Sequence, residues 1–239
     1  LDVRRTMNLL NQEQAVQVAL GVESWVSVIL HQDLSDSEID HLGESWAIEL
    51  PSLPIDGGDV TGSIEDLQGR FNVNNLIDES GKVVTRSLQH FQRLLIALNL
   101  DPRFAGIAAD WIDGNIEPIF PDGAEDMTYT GIIPPYRSAN QSLTSASEFA
   151  ALDGMDRQSF NVLRPHITAL PGRTNINVNT ATKAVLQSLD ENISVTDVER
   201  LLAERENVGF DYMQDTFSSL VTPDILNTLD ESTNYFRLK

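Results

Sequence analysis

Seven acidic residues and one basic residue, Arg103, fall between Asp101 and Thr130. Within that stretch Asp113, Asn115 and Glu117 alternate, and side chains two apart in a curled backbone can turn their oxygens on one centre, as calcium loops do. The pattern is not a helix-loop-helix calcium loop, since Pro118 stands where that loop takes glycine and Ala124 where it takes a bidentate glutamate. Asp122, Glu125 and Asp126 can supply oxygens from across the loop. Carboxylates crowded into an irregular segment repel one another, and a divalent ion would offset the repulsion while ordering the chain. The expected metal site is therefore Asp113, Asn115, Asp122, Glu125 and Asp126, with calcium as the ion; a solvated acidic surface is the alternative.

Other chemistries find less support. The chain has no cysteine, which removes disulfides, thiolate zinc sites and cysteine nucleophiles together. Its four histidines, His31, His41, His90 and His166, stand far apart without metal-ligand spacing, and neither a nucleophile elbow nor a phosphate loop occurs. No catalytic residue is assigned. A hydrolase working through paired carboxylates and a metal is one alternative, since an acidic chain offers many such pairs, but it would need a cleft. The run Ile176–Thr182, INVNTAT, followed by Val185, Leu186 and Leu189, also looks like the opening of a helix-hairpin-helix DNA-binding unit. Such a unit grips phosphates with backbone amides at a glycine turn and nearby cations. Here Leu189-Asp190-Glu191-Asn192 fills the turn, and 36 acidic against 16 basic residues give a net charge of -20. That balance argues against nucleic acid as a partner.

The elements that must position the loop follow from periodicity. From Thr6 to Leu30, apolar residues at Ala15, Val18, Val22, Trp25 and Ile29 form one helical stripe, a rod of ~38 Å at ~1.5 Å per residue. It reads as the lower half of a longer helix. No run of ~18 apolar residues occurs, and Leu1–Arg5 lacks the apolar core of a signal peptide. Ser35 with Glu38 predicts a short helix ending at Gly43. Trp46, Ile48 and Leu50 then alternate with polar residues, and Val60–Glu65 and Phe71–Val73 flank a turn at Gly69, which predicts antiparallel strands. After Gly81 a stripe of Val84, Leu88, Phe91, Leu95 and Leu98 predicts a helix. A second helix, carrying Phe104, Ile107, Ala108 and Trp111, is expected after Asp101-Pro102. Residues 113–142 read as a long loop. Helix starts are marked at Ser145 with Glu148, Asp156, Asn179 or Thr180, Ser194 with Asp197, and Thr222-Pro223. Alternation over Asn234–Lys239 suggests a last strand rejoining the early sheet, making the helical segment an insertion. Trp25, Trp46 and Trp111 are expected in the core.

Four separated motifs, Gly69–Leu76 (GRFNVNNL), Asp110–Asp126 (DWIDGNIEPIFPDGAED), Pro134–Leu143 (PPYRSANQSL) and Ile176–Thr182, resemble the general secretion pathway K proteins, minor pseudopilins of type II secretion systems. That resemblance implies an α+β, pilin-like fold, a long N-terminal helix on a small antiparallel sheet, with a large inserted all-α domain. The expected division is 1–82 for the pilin-like helix and first strands, 83–222 for the insertion and 223–239 for the return to the sheet. The resemblance further implies a non-enzymatic subunit at the pseudopilus tip, serving protein export across the outer membrane. Such a subunit is anchored in the inner membrane of a Gram-negative bacterium through the hydrophobic half of its helix and projects into the periplasm. It joins I-type and J-type minor pseudopilins by helix packing, with the H-type pseudopilin and secreted exoproteins as further partners. Val18, Val22 and Trp25 are the partner-binding candidates, the alternative being burial against the chain's own sheet. Family members bind calcium in the inserted region, and tend to carry Asp where this chain has Asn115.

Overall fold

The structure, a computed structural model, describes residues 2–55, 57–206 and 208–239. It begins with helix α1, Asp2–Asp36, whose 35 residues make a rod of ~52 Å. The helix outruns the expected Thr6–Leu30 at both ends, and Ser35 lies inside it, its hydroxyl returned to the carbonyl of His31 at 3.0 Å. The separate short helix expected at Ser35 does not form. Only the C-terminal half of α1 packs: Val26 is buried in one cluster with Trp46 and Ile64, and Val22, Ile29 and Leu30, partly buried, pack against that cluster.

That small core is closed by the end of the chain. Strand β1, Leu50–Ile55, pairs antiparallel with β2, Gly58–Gly62, while β3, Ile64–Asp66, pairs antiparallel with a terminal strand at Phe236–Leu238. The return of the last strand is as the alternation predicts. Trp46 is buried as expected, but in a single 3-10 turn at Ser45–Ala47, so the strand starts later. Its ring meets Phe236 edge-on with centroids 5.0 Å apart, and its Nε1 donates to Glu44 Oε2 at 2.8 Å. Ile48 is exposed, and the burial expected of Leu50 lies outside the described side chains.

The second and larger core starts at Phe71, not at residue 83, and runs to Leu229. Strand β4, Phe71–Asn72, does not continue an antiparallel sheet with β3; it pairs parallel with β5, Ile167–Thr168. Phe71 then stacks on Phe91 at 5.1 Å, and Phe91 meets Phe149 edge-on at 5.8 Å. Around them pack α2, Thr85–Ala97, α3, Phe104–Ile112, α4, Asp126–Thr130, and α5, Arg157–Leu163. Strand β6, Ile176–Asn177, precedes α6, Lys183–Ser188, and α7, Val195–Glu204. Helices α8, Met213–Phe217, and α9, Pro223–Leu226, lead to β7, Leu229–Asp230, parallel to β6, and then to β8, the terminal strand already described. The capping boxes at Ser145 with Glu148 and Ser194 with Asp197 both form, whereas α6 is capped by Thr182 and not by Asn179 or Thr180. The order is α+β, a long helix on short antiparallel ladders interrupted by a helical body.

Buried asparagines hold that body together where its backbone leaves regular structure. Asn74 Nδ2 donates to the carbonyls of Leu143 and Leu170, both at 2.9 Å, and its Oδ1 accepts from Leu143 N at 2.8 Å. Asn72, Asn75, Asn177 and Asn179 likewise bond backbone groups far away in sequence. Buried irregular backbone must find partners, and here amide side chains provide them. The motifs GRFNVNNL and INVNTAT therefore have a structural role that needs no ligand.

Candidate functional site

Helix α3 is buried along its whole length and carries the start of the acidic loop. Asp110, three residues before Asp113, lies on the same helical face. Both are fully buried, and the N–H of Ile119 donates to the two oxygens of Asp110 at 3.1 Å each. The loop can approach Asp110 this closely because residue 123 is glycine: a Cβ there would collide with Asp110 Oδ2 and with the backbone of Ile119. Burial pushes the Asp110 carboxyl up to about 7, the charges of Glu125 and Asp113 adding to it against donation from Ile119. The Asp113 and Glu125 carboxyls are also raised, chiefly by burial.

The expected ligands are only partly brought together. Asp113 accepts from the side-chain amide of Asn115 at 2.6 Å, and Glu125 is buried beside Ser138, whose hydroxyl donates to its Oε2 at 3.2 Å. Asp126 is turned to the N–H of Ser138 and pairs with Arg137 at 3.6 Å. Asp122 belongs elsewhere: it lies over Gly106, and its charge is felt by Arg103, at the opposite end of α3 from Asp113. A loop reading cannot see this, because the chain doubles back over α3 between Asp113 and Glu125. Asp110 was missed for the complementary reason; its spacing from Asp113 was the signal available.

Among the described residues three buried side-chain atoms lack a hydrogen-bond partner, and two are acceptors on this loop, Glu125 Oε1 and Asn140 Oδ1. The amide of Asn140 reaches back to the carbonyl of Asn115 at 3.4 Å. An orphaned carboxylate oxygen among raised carboxyls is unfavourable without a counter-charge. A hard cation satisfies acceptors and not donors, but the carboxylate oxygens of Asp110, Asp113 and Glu125 do not all converge within 4.8 Å of one another.

A second acidic group was not anticipated. Asp33, Asp40 and Glu44, all half-buried, bring carboxylate oxygens within 4.8 Å of one another, the one such trio among the described residues. Its oxygens are engaged: Glu44 Oε2 accepts from His41 N and Trp46 Nε1, both at 2.8 Å, and Asp40 Oδ2 accepts from Thr233 N at 2.7 Å. The trio clasps the end of α1 to the segment entering β8. Burial, then the neighbouring carboxylates, push Asp33 up to about 6; burial also takes Asp40 to about 6, against the Thr233 bond.

On α1, the proposed partner residues separate. Val22 packs into the small core and Val18 is half-buried, whereas Trp25 is 42% exposed, contrary to the expectation of a core tryptophan. The buried stripe passes through Val26 instead, one position and ~100° further round the helix. Val3, Met7, Leu10, Val16, Leu20 and Val28 stand exposed along the same rod. A contiguous apolar surface of this kind commonly marks an interaction site. No helix among the described residues is long and apolar enough to cross a membrane.

The helix-hairpin-helix likeness acquires a different meaning in place. Between α6 and α7, Asp190 is buried with Oδ2 accepting from Thr222 N at 3.3 Å, and Arg93 binds the carbonyls of Ser188 and Leu189 at 2.8 Å. The turn is tied into the body by an acid and its own carbonyls.

Comparison with known proteins agrees with the layout. A family model described as Type II secretion system (T2SS), protein K matches residues 69–172, and a second of the same description matches residues 176–231. The first begins close to the point where the larger core begins. The type II secretion system protein K of Pseudomonas aeruginosa is 35% identical over 90% of this chain and 67% of that protein. The protein of the same description from Aeromonas hydrophila is 31% identical over 100% of this chain and 79% of its own. Among solved structures, the GspK-GspI-GspJ complex from the enterotoxigenic Escherichia coli type 2 secretion system contains a chain that superposes with a TM-score of 0.78. Its sequence identity is 25%, with 98% of this chain and 87% of that chain covered.

Proposed function

Since the chain belongs to the type II secretion system protein K family, we propose that it is a non-enzymatic minor pseudopilin that caps the pseudopilus tip through helix packing with I-type and J-type partners. The observation that carries this reading is the half-packed rod. The C-terminal half of α1 is sealed by Trp46 and Ile64, while apolar side chains from Val3 to Val28 remain exposed around the rest. Helices with apolar residues on two faces bury one face internally and offer the other to a neighbour. Trp25 and Val18 are the residues for that neighbour, and Val22 serves the chain's own core. The helical body sits beyond the end of this rod, where it would obstruct a further subunit stacking above, which suits a cap. The same reading puts the described domain in the periplasm, held to the inner membrane through a more apolar helical segment, with the H-type pseudopilin and exported proteins as later contacts.

The test is reconstitution. Mixed with soluble I-type and J-type pseudopilins, the chain should sediment as one ternary particle in analytical ultracentrifugation; three separate species at all concentrations would end the proposal.

Calcium binding is the second part of the reading, supported by the orphaned Glu125 Oε1 and Asn140 Oδ1. Asp110, Asp113 and Glu125 would hold the ion with Asn140. Bound there, calcium would neutralise the buried carboxylates and fix the loop to α3. Calcium should add RT ln(1 + [L]/Kd) to the unfolding free energy, ~2.7 kcal/mol at a hundredfold excess over Kd, and so raise Tm, and a chelator should reverse it. A melting curve indifferent to both would remove calcium from the account.

A further inference from the structure

In a chain of net charge -20 with 16 basic residues, four of those, Arg70, Arg164, Arg237 and Lys239, line a single cavity of about 570 Å³. The one acidic side chain in its wall is Glu65. Glu65 pairs with Arg70 at 2.8 Å, with Arg237 at 2.6 Å, and with Lys239. Three cations on one carboxylate leave two positive charges uncompensated. Arg164, exposed on the rim, has no ion-pair partner among the described residues and adds a third. Where other cations form ion pairs, each has an acid to itself, as Arg86 with Asp224, Lys183 with Glu199 and Arg200 with Glu204. The excess is therefore local and opposite in sign to the molecule.

The field inside the cavity acts on its own carboxylate. Burial opposes ionisation of Glu65, yet hydrogen bonds from Lys239 and Arg237 and the charge of Arg70 overcome it and bring its pKa down to about 2. His166, between Pro165 and Ile167 of the wall, has its pKa lowered by burial and by the charge of Arg70. The cavity lies in the seam between the two cores. Glu65 and Arg237 come from the β3–β8 ladder of the small sheet, while Arg164 and Ile167 come from the helical body. Its wall is not wholly polar: Phe160, Pro165 and Ala169 offer an apolar strip beneath the cationic rim.

We propose that this seam is a binding site for an acidic peptide segment of another polypeptide, whose Asp or Glu carboxylates enter the cationic rim while their methylene stems lie on the apolar strip. Carboxylates are matched by the planar guanidinium forks of Arg70, Arg164 and Arg237. A nucleic acid carries too dense a negative charge to approach the rest of this surface, whereas a short acidic segment presents its charge only at the cavity. An occupant bonded from both sides of the seam would also fix the small sheet against the helical body. This inference does not depend on the secretion reading.

The probe is a short fluorescein-labelled peptide of alternating Glu and Ala, titrated into the full chain by fluorescence anisotropy at low salt, with a Gln-Ala peptide as control. The Glu peptide should bind and the Gln peptide should not, and raising the salt should weaken binding. Arg164→Glu, which breaks no ion pair, should weaken binding by about tenfold or more without changing the melting temperature. Glu65→Gln removes the resident competitor and should tighten binding severalfold; if that variant fails to fold, Arg164→Glu decides alone. Equal binding of the two peptides, or an unchanged affinity in Arg164→Glu, overturns the proposal. Displacement of the peptide by equimolar inorganic phosphate would reassign the cavity to small oxyanions, and tighter binding of a single-stranded oligonucleotide would reassign it to nucleic acid; either result overturns the peptide reading.

Discussion

Replacing Asn74 by alanine leaves the carbonyls of Leu143 and Leu170 and the N–H of Leu143 without the side chain that now satisfies them. Asn74 is 3% exposed, and these groups sit in the body of the larger core, where water cannot take over easily. An unsatisfied buried polar group costs ~1–3 kcal/mol, and partial relaxation of a loop lowers the sum, so Asn74→Ala should cost about 3–5 kcal/mol. For a chain of this size, ~2–4 °C per kcal/mol converts that into a fall in Tm of about 6–20 °C. Differential scanning calorimetry gives the number directly. The discriminating variant is Asn74→Asp, which keeps the volume and the acceptor but removes both donors and sets a carboxylate against two carbonyls. It should be at least as destabilised as the alanine variant. If Asn74→Asp melted with the parent while Asn74→Ala did not, cavity formation and not hydrogen bonding would govern the site, and the account of both asparagine motifs would be wrong.

Gly123→Ala should cost about 1–3 kcal/mol, because a methyl group there meets Asp110 and the Ile119 backbone and forces the loop off α3; urea denaturation would measure it, and an unaffected midpoint would mean the loop is not seated as described. Glu125→Gln should remove most of the calcium-dependent rise in Tm while changing the calcium-free melting temperature little, which scanning calorimetry with and without chelator can check. Trp25→Lys should abolish assembly with the I-type and J-type partners at an almost unchanged Tm, whereas Val22→Ala should lower Tm by removing part of the small core; sedimentation and melting on both variants test the division of labour. In the pH profile, Asp33 and Asp40 hold protons in the folded state up to about 6 and release them near 3.8 when unfolded. Their contribution to stability is therefore largest below 3.8 and is lost as pH rises to about 6, by ~1–2 kcal/mol for the pair after allowance for solvent screening. The doubly substituted Asp33→Asn, Asp40→Asn chain should not show that loss when its stability is compared with the parent across this window.

What the residues disclosed by themselves is what local physics decides. The helical state of residues 6–30, the capping boxes at Ser145 and Ser194 and the alternation of the last strand depend on neighbours within a few positions, and each formed as expected. Choices between equivalent partners were not legible. Phe71–Asn72 reads as strand whichever neighbour it takes, and it takes β5 in parallel because Phe71 must reach Phe91 in the helical core, not because of anything in residues 60–73. Trp25 and Val26 both satisfy a three-and-four stripe with Val22 and Ile29, and only the position of Trp46 across the interface selects Val26. The carboxylate loop follows the same logic. Spacing nominated Asp113 and Glu125, whose charges influence each other, but Asp122 is carried over Gly106 and Asp110 is brought in from a helix, since both depend on how the chain crosses α3 at Gly123. A glycine permitting one close crossing thus determines which acids share a site, and it leaves its mark in sequence only as a residue without a side chain.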